Sequence, residues 1–82
     1  MATDEQLTVR EHMVLDFAKI RWRSLGVREA TIRDLFGVSA TRYFQTLNAL
    51  LDNPAALAAQ PQLVNRLRRL RQARSEARRA SA

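Results

Sequence analysis

The chain has 82 residues and a formal net charge of +6, which allows one small domain with a modest core. It has no cysteine, so disulfides and thiolate metal sites are excluded. No run of about 18 apolar residues is available to cross a membrane. The N-terminus carries Asp4 and Glu5 and lacks a signal-peptide pattern, so we expect a cytoplasmic protein.

The first predicted helix spans about residues 9–24 and follows a flexible segment, residues 1–7. Thr8 and Glu11 have the spacing of a capping box, and Gly26 can end the helix. Apolar residues recur at helical spacing at Val9, Met13, Phe17 and Ile20, with Leu15 and Trp22 beside them.

A short second helix is predicted over residues 28–36, and a third helix continues to about residue 51. Between them, Gly37 can leave the helix through a positive φ, and Ser39 is a strong N-cap for the third helix. The third helix has one wide apolar face, formed by Ala40, Tyr43, Phe44, Leu47, Leu50 and Leu51.

Two proline signals predict the last elements, a short helical turn over residues 54–59 and a long helix from residue 61 to about residue 79. The apolar stripe of the long helix is formed by Leu63, Leu67 and Leu70. Arg74 takes the next stripe position, so packing should stop near Leu70 and the basic end should project or fray. We therefore predict a helical domain over residues 8–72 and a basic extension over residues 73–82.

The basic charge is concentrated in this last helix. Residues 1–65 carry seven basic and seven acidic side chains, whereas residues 66–79 carry seven arginines and one acid, Glu76. These arginines are Arg66, Arg68, Arg69, Arg71, Arg74, Arg78 and Arg79. On a helical wheel Arg68, Arg69 and Arg79 face away from the leucine stripe. Such an imbalance favours an anionic partner, and guanidinium groups fork onto phosphate, so double-stranded DNA is the first candidate.

The junction of the second and third helices resembles a helix-turn-helix, the motif of a large DNA-binding superfamily. Its pattern reads Ile32-x-x-Leu35-Phe36-Gly37-Val38-Ser39-x-x-x-Tyr43-x-x-x-Leu47. In that motif the glycine opens the turn, the next residue fills the angle between the helices, and the serine caps a helix that faces the major groove. Arg33 departs from the motif, which usually has a small residue there. An ordinary helical hairpin is the alternative.

The exposed start of the third helix supplies the remaining candidate DNA contacts, Thr41, Arg42 and Gln45, next to the Ser39 cap. Arg42 can pair with guanine edges and Gln45 with adenine, while Thr41 and Arg42 can also contact phosphate. Arg42 is the single arginine of this set and has no second residue beside it that contacts base edges as strongly, so we expect low sequence specificity.

Other chemistries have little support in the sequence. Trp22 between two arginines could stack on bases, but it is more simply a core or interface residue. His12 is the single histidine and has no cysteine or carboxylate cluster near it, so we expect no metal site and no cofactor. No nucleophile–base pair is evident, and we expect neither enzyme activity nor a small-molecule substrate.

Residues 30–50, with the run IRDLFGVSATRYFQ, together with residues 52–57 and 63–71, resemble a family of short actinobacterial proteins. That family is classed as a domain of unknown function with a helix-turn-helix, and one member is regarded as a nucleoid-associated DNA-binding protein. The resemblance implies the same role and a nucleoid location here.

We therefore predict an all-α fold, with a three-helix helix-turn-helix core and a long basic C-terminal helix. The leading function is binding of double-stranded DNA with low sequence specificity, as a nucleoid-associated or transcription-regulating protein. One alternative is a sequence-specific homodimeric regulator. Another is a protein-interaction module that uses the basic helix.

Overall fold

The structure, a computed structural model, describes residues 6–81, and every regular element in that range is an α-helix. The five helices are α1 (Val9–Ala18), α2 (Leu25–Phe36), α3 (Ala40–Leu50), α4 (Pro54–Ala59) and α5 (Pro61–Ser81). The all-α class is confirmed. None of these helices is long and apolar enough to span a bilayer. Of the segment predicted to be flexible, residues 1–5 lie outside the described range.

The first helix begins as predicted but ends early. The capping box is present, with the Thr8 hydroxyl accepting from the Glu11 backbone N–H at 3.1 Å and the Glu11 carboxylate accepting from the Thr8 N–H at 2.8 Å. However, α1 stops at Ala18, and the Ser24 hydroxyl caps α2 by accepting from the Val27 N–H at 3.3 Å. Residues 19–24 therefore form a connection, and Gly26 lies inside α2 instead of ending α1.

The connection from α2 to α3 agrees with its sequence signals. Gly37 has a φ of 69°, the left-handed conformation that glycine adopts readily, and its N–H donates to the Arg33 carbonyl at 2.9 Å. The Ser39 hydroxyl accepts from the Arg42 N–H at 3.2 Å and caps α3. A turn of only three residues thus fixes how α3 leaves α2.

Helix α3 lies at the centre of the body, packing against both α1 and α2. Its Tyr43 contacts Phe17 of α1 and Phe36 of α2, each with ring centroids 5.3 Å apart. The buried Tyr43 hydroxyl donates to the Val14 carbonyl at 2.7 Å, and burial raises the pKa of that hydroxyl. The fully enclosed core is Val14, Leu15, Phe17, Ile32, Phe36, Tyr43, Leu47, Leu50, Leu51, Ala56, Leu63 and Val64.

Two predicted apolar faces are corrected. On α1, Val9 is 78% exposed and Met13 is also exposed, while Val14 and Leu15 are buried beside Phe17. The inward face of α1 is therefore formed by Val14, Leu15 and Phe17 and is rotated from the predicted one. On α3, four predicted positions are buried, but Phe44 remains 37% exposed.

The long helix α5 is attached to the body at its start and leaves it along its length. Leu63 and Val64 are buried, Leu67 is half-buried, and Leu70 is 45% exposed, so firm packing ends one turn earlier than predicted. The helix has 21 residues, about 30 Å of axial length, and continues to Ser81. The side chains of residues 76–81 are all exposed, so the basic end projects as a helix.

Candidate nucleic-acid interface

The predicted face of α3 is open to solvent. Thr41, Arg42 and Gln45 are all exposed, whereas Ser39 uses its hydroxyl to cap the helix. Thr41 and Gln45 line a shallow depression together with Asn48 and with Arg28 of α2. Glu29 also lines this depression, so the accessible surface offers hydroxyl, amide and guanidinium groups together with one carboxylate.

Arg42 lies on the other flank of α3, in a depression shared with Arg10, Val38 and Thr46. Arg10 donates through Nη2 to the Phe36 carbonyl at 2.7 Å, and its guanidinium lies 5.5 Å from the centre of the Phe36 ring. It therefore satisfies a carbonyl at the C-terminal end of α2, where the helix has no backbone donor of its own. No local sequence pattern indicates this role, because 26 positions separate the two residues.

The seven C-terminal arginines divide into three groups. The first group, Arg68 and Arg71, is turned toward the body. Arg68 Nε donates to the Leu51 carbonyl at 2.6 Å, so Arg68 does not face away from the core as predicted. Arg71 donates to the Asp52 carboxylate at 2.9 and 3.2 Å and to the Asn48 side-chain oxygen at 3.0 Å.

Both of these arginines secure the C-terminal end of α3. They bring positive charge to the negative end of a helix dipole. Arg68 donates to a backbone carbonyl that the helix leaves unpaired, and Arg71 donates to the side chains of Asn48 and Asp52. The Arg71 guanidinium holds the pKa of the Asp52 carboxyl below its usual range, and the same pair raises the pKa of Arg71. Arg68 and Arg71 therefore hold α5 against the body before any partner is considered.

The second group, Arg66 and Arg69, lines a broad groove between α1 and the start of α5. His12 and Lys19 of the α1 region line the same groove. Lys19 pairs with Asp16 at 3.2 Å, and this carboxylate also accepts from Gln60 Nε2 at 2.9 Å. Those contacts lower the pKa of Asp16, with the Gln60 hydrogen bond as the largest cause. The grouping was missed in sequence because its members are some fifty positions apart.

The third group, called here the distal arginines, comprises Arg74, Arg78 and Arg79, and all three are exposed. Arg79 approaches the Ser75 hydroxyl at 3.3 Å, a contact within the same helix. Within residues 6–81 none of the three forms an ion pair with a carboxylate. Their charges are therefore available to an anionic partner.

These features define a small all-helical protein with a packed body and a projecting basic helix. The chain belongs to the family described as "Protein of unknown function (DUF3263)", which matches residues 6–79. No curated protein and no solved structure matches the chain. The family description names no activity, so the function is argued from the geometry and charge above.

Proposed function

We propose that this protein binds double-stranded DNA with low sequence specificity, as a nucleoid-associated or transcription-regulating protein. The observation that carries the proposal is the exposure of the distal arginines on a helix that projects from the body. Several unpaired guanidinium groups held together repel one another, and a polyanion such as a phosphate backbone relieves that repulsion.

Within this proposal α2, the Gly37 turn and α3 act as a helix-turn-helix. Three observations support the assignment: the left-handed Gly37, the packing of Val38 against the core, and the Ser39 cap. Arg33, which departs from the motif, has an exposed side chain and so does not separate α2 from α3. In this arrangement α3 faces the major groove with its first two turns.

The proposed DNA contacts fall into two groups, those that position α3 on the duplex and those that supply most of the affinity. In the first group, Arg42 and Gln45 lie at the entrance of the DNA major groove, where they can reach base edges or adjacent phosphates. The distal arginines and the Arg66–Arg69 pair neutralise phosphates and release counterions. With four to six such contacts, the logarithm of the binding constant should fall with a slope of about −4 to −5 against the logarithm of salt concentration.

Low specificity follows from how few base readers α3 offers. Arg42 and Gln45 are free, but the Asn48 side-chain oxygen already accepts from Arg71. Two readers discriminate few base pairs, at about 1–3 kcal/mol for each good bidentate contact. Most of the binding free energy should therefore come from phosphates and be the same for unrelated duplexes.

A gel-shift titration with a random-sequence duplex at two salt concentrations tests the proposal. We expect binding at low salt, a steep loss at higher salt, and equal competition by unrelated duplexes. A complex that survives a large excess of unrelated duplex would replace the proposal with a sequence-specific regulator. Stronger competition by RNA of the same length, or no shift at low salt, would contradict it.

A further inference from the structure

A second surface, next to the exposed face of α3, is a groove where α1, α3 and α5 diverge; the two surfaces share Arg28, Phe44 and Asn48. We call it the aromatic groove; its main lining residues are Phe17, Trp22, Phe44, Leu70, Arg28 and Arg74. Its volume is about 400 Å³, and its lining includes no carboxylate. The groove exists because α5 leaves the body after Leu67, so Leu70 and Arg74 stand opposite α3 without closing on it.

Four aromatic side chains line one part of this groove, and aliphatic side chains line the rest of its apolar surface. Phe17 stacks on Trp22 with ring centroids 5.1 Å apart and planes 29° apart, and Tyr43 meets Phe44 edge-on at 5.0 Å. Phe44 and Leu70 keep a third or more of their surface exposed although both are large and apolar. Flat aromatic walls suit a planar aromatic ligand better than a branched aliphatic one.

The polar groups of the groove are donors and cations. The indole N–H of Trp22 and Nε of Arg28 are both buried, and neither has an acceptor among residues 6–81. The Arg28 guanidinium lies 4.7 Å from the centre of the Phe44 ring, and Arg74 stands at the rim. Arg71, the third arginine of the lining, is already occupied by Asp52. Because the two buried donors are closed to solvent, the polar groups that a ligand can reach include the guanidinium groups of Arg28 and Arg74, and these favour a negatively charged ligand.

The groove has the size of a small-molecule site. A volume of about 400 Å³ falls within the usual range for small-molecule sites.

We propose that the aromatic groove binds a small planar aromatic carboxylate. The ring lies between the Trp22–Phe17 stack and Phe44, and the carboxylate faces Arg28 and Arg74. The groove shares Arg28 and Phe44 with the depression on α3 and shares Arg74 with the distal arginines. Ligand binding is therefore measured in the absence of DNA, and its failure leaves the DNA-binding proposal untouched.

The test uses the full chain labelled with ¹⁵N and titrated with naphthalene-2-carboxylate. Trp22 is the single tryptophan and lines the groove, so its indole N–H gives one assigned resonance beside the bound ligand. We expect that resonance and the Arg28 Nε–H resonance to shift together and saturate, with a dissociation constant on the order of 1 mM or below. Shifts confined to residues 75–81, or no saturation at Trp22, would overturn the proposal.

Two matched ligands and four variants sharpen the result. The neutral 2-naphthalenemethanol should bind at least several-fold more weakly, and so should octanoate, which keeps the carboxylate but lacks the ring.

R28Q should weaken carboxylate binding about tenfold and R74Q about threefold, since Arg28 is more buried and Arg74 is at the rim. R33Q and R78Q remove the same charge outside the groove and should change it little. Equal losses in all four variants, or equal affinity for the three ligands, would overturn the proposal.

Discussion

Both halves of α5 are rich in arginine, but their side chains make different contacts. The proximal half, residues 61–71, contributes Leu63 and Val64 to the core and uses Arg68 and Arg71 to hold the end of α3. In the distal half, residues 72–81, the arginines are exposed and form no ion pair with a carboxylate of residues 6–81. Arginine content alone therefore does not assign a role, because the direction in which each side chain leaves the helix decides between packing and binding.

Because of this difference, substitutions of the seven arginines should not all affect stability and DNA binding in the same way. Substitutions of Arg68 and Arg71 in the proximal half should lower the stability of the fold, and any loss of DNA binding should follow from that. Arg66 and Arg69, which are exposed in the same half, should contribute to DNA binding directly. Substitutions in the distal half should leave the fold intact and change binding directly.

The largest effect on stability should come from Leu63→Ala. Leu63 is 6% exposed and packs in the core, so its truncation should lower the free energy of unfolding by about 2–4 kcal/mol. Leu70→Ala, the same change two turns later in the same helix, should cost less than about 1 kcal/mol. Urea denaturation followed by circular dichroism measures both. Similar losses for the two variants would mean that the distal half is packed as firmly as the proximal half.

An intermediate effect is expected for Arg68→Gln. Losing the donor to the Leu51 carbonyl should lower the free energy of unfolding by about 1 kcal/mol. Arg78→Gln removes the same charge from an exposed position and should change stability by no more than about 0.5 kcal/mol. Thermal denaturation of the two variants at the same pH and salt makes the comparison. A variant at Arg78 as unstable as the one at Arg68 would erase the distinction between the two halves.

The smallest effect should appear in the pH dependence of stability. The pKa of Asp52 is lowered in the folded state by Arg71, so ionised Asp52 stabilises the fold above its unfolded pKa. This contribution is lost as the pH falls through the folded pKa. Asp52→Asn should therefore lower the Tm slightly near pH 6 and leave it unchanged near pH 2. A difference that persists at pH 2 would show that the contact is not electrostatic. The effect should be small because both side chains are substantially exposed.

Local sequence signals predicted most of the helix boundaries. The Thr8–Glu11 capping box, the Gly37–Ser39 turn and the proline starts at Pro54 and Pro61 act within a few residues, so they can be recognised without knowing the fold. The end of α1 could not be predicted in this way. Apolar spacing appeared to continue through Ile20, but that side chain is 50% exposed and the helix has already ended.

The candidate site was predicted only in part for the same reason. Exposure of Thr41, Arg42 and Gln45 followed from the periodicity of α3. Arg10 and Arg68 donate to carbonyl groups 26 and 17 positions away. A helical wheel shows one helix at a time, so it cannot predict such contacts. The aromatic groove likewise appears only when α1, α3 and α5 are assembled.

The central claim is that the distal arginines supply the affinity for DNA, and one pair of variants tests it directly. R74Q/R78Q/R79Q and R21Q/R23Q/R33Q each remove three exposed positive charges, the first set from the distal half of α5 and the second from the body. Fluorescence anisotropy with a random duplex should show a salt slope shallower by about three for the distal variant and an affinity lower by about 100-fold at low salt. The body variant should lose far less. Equal losses in both variants would contradict the claim, because binding would then depend on net charge and not on the projecting helix.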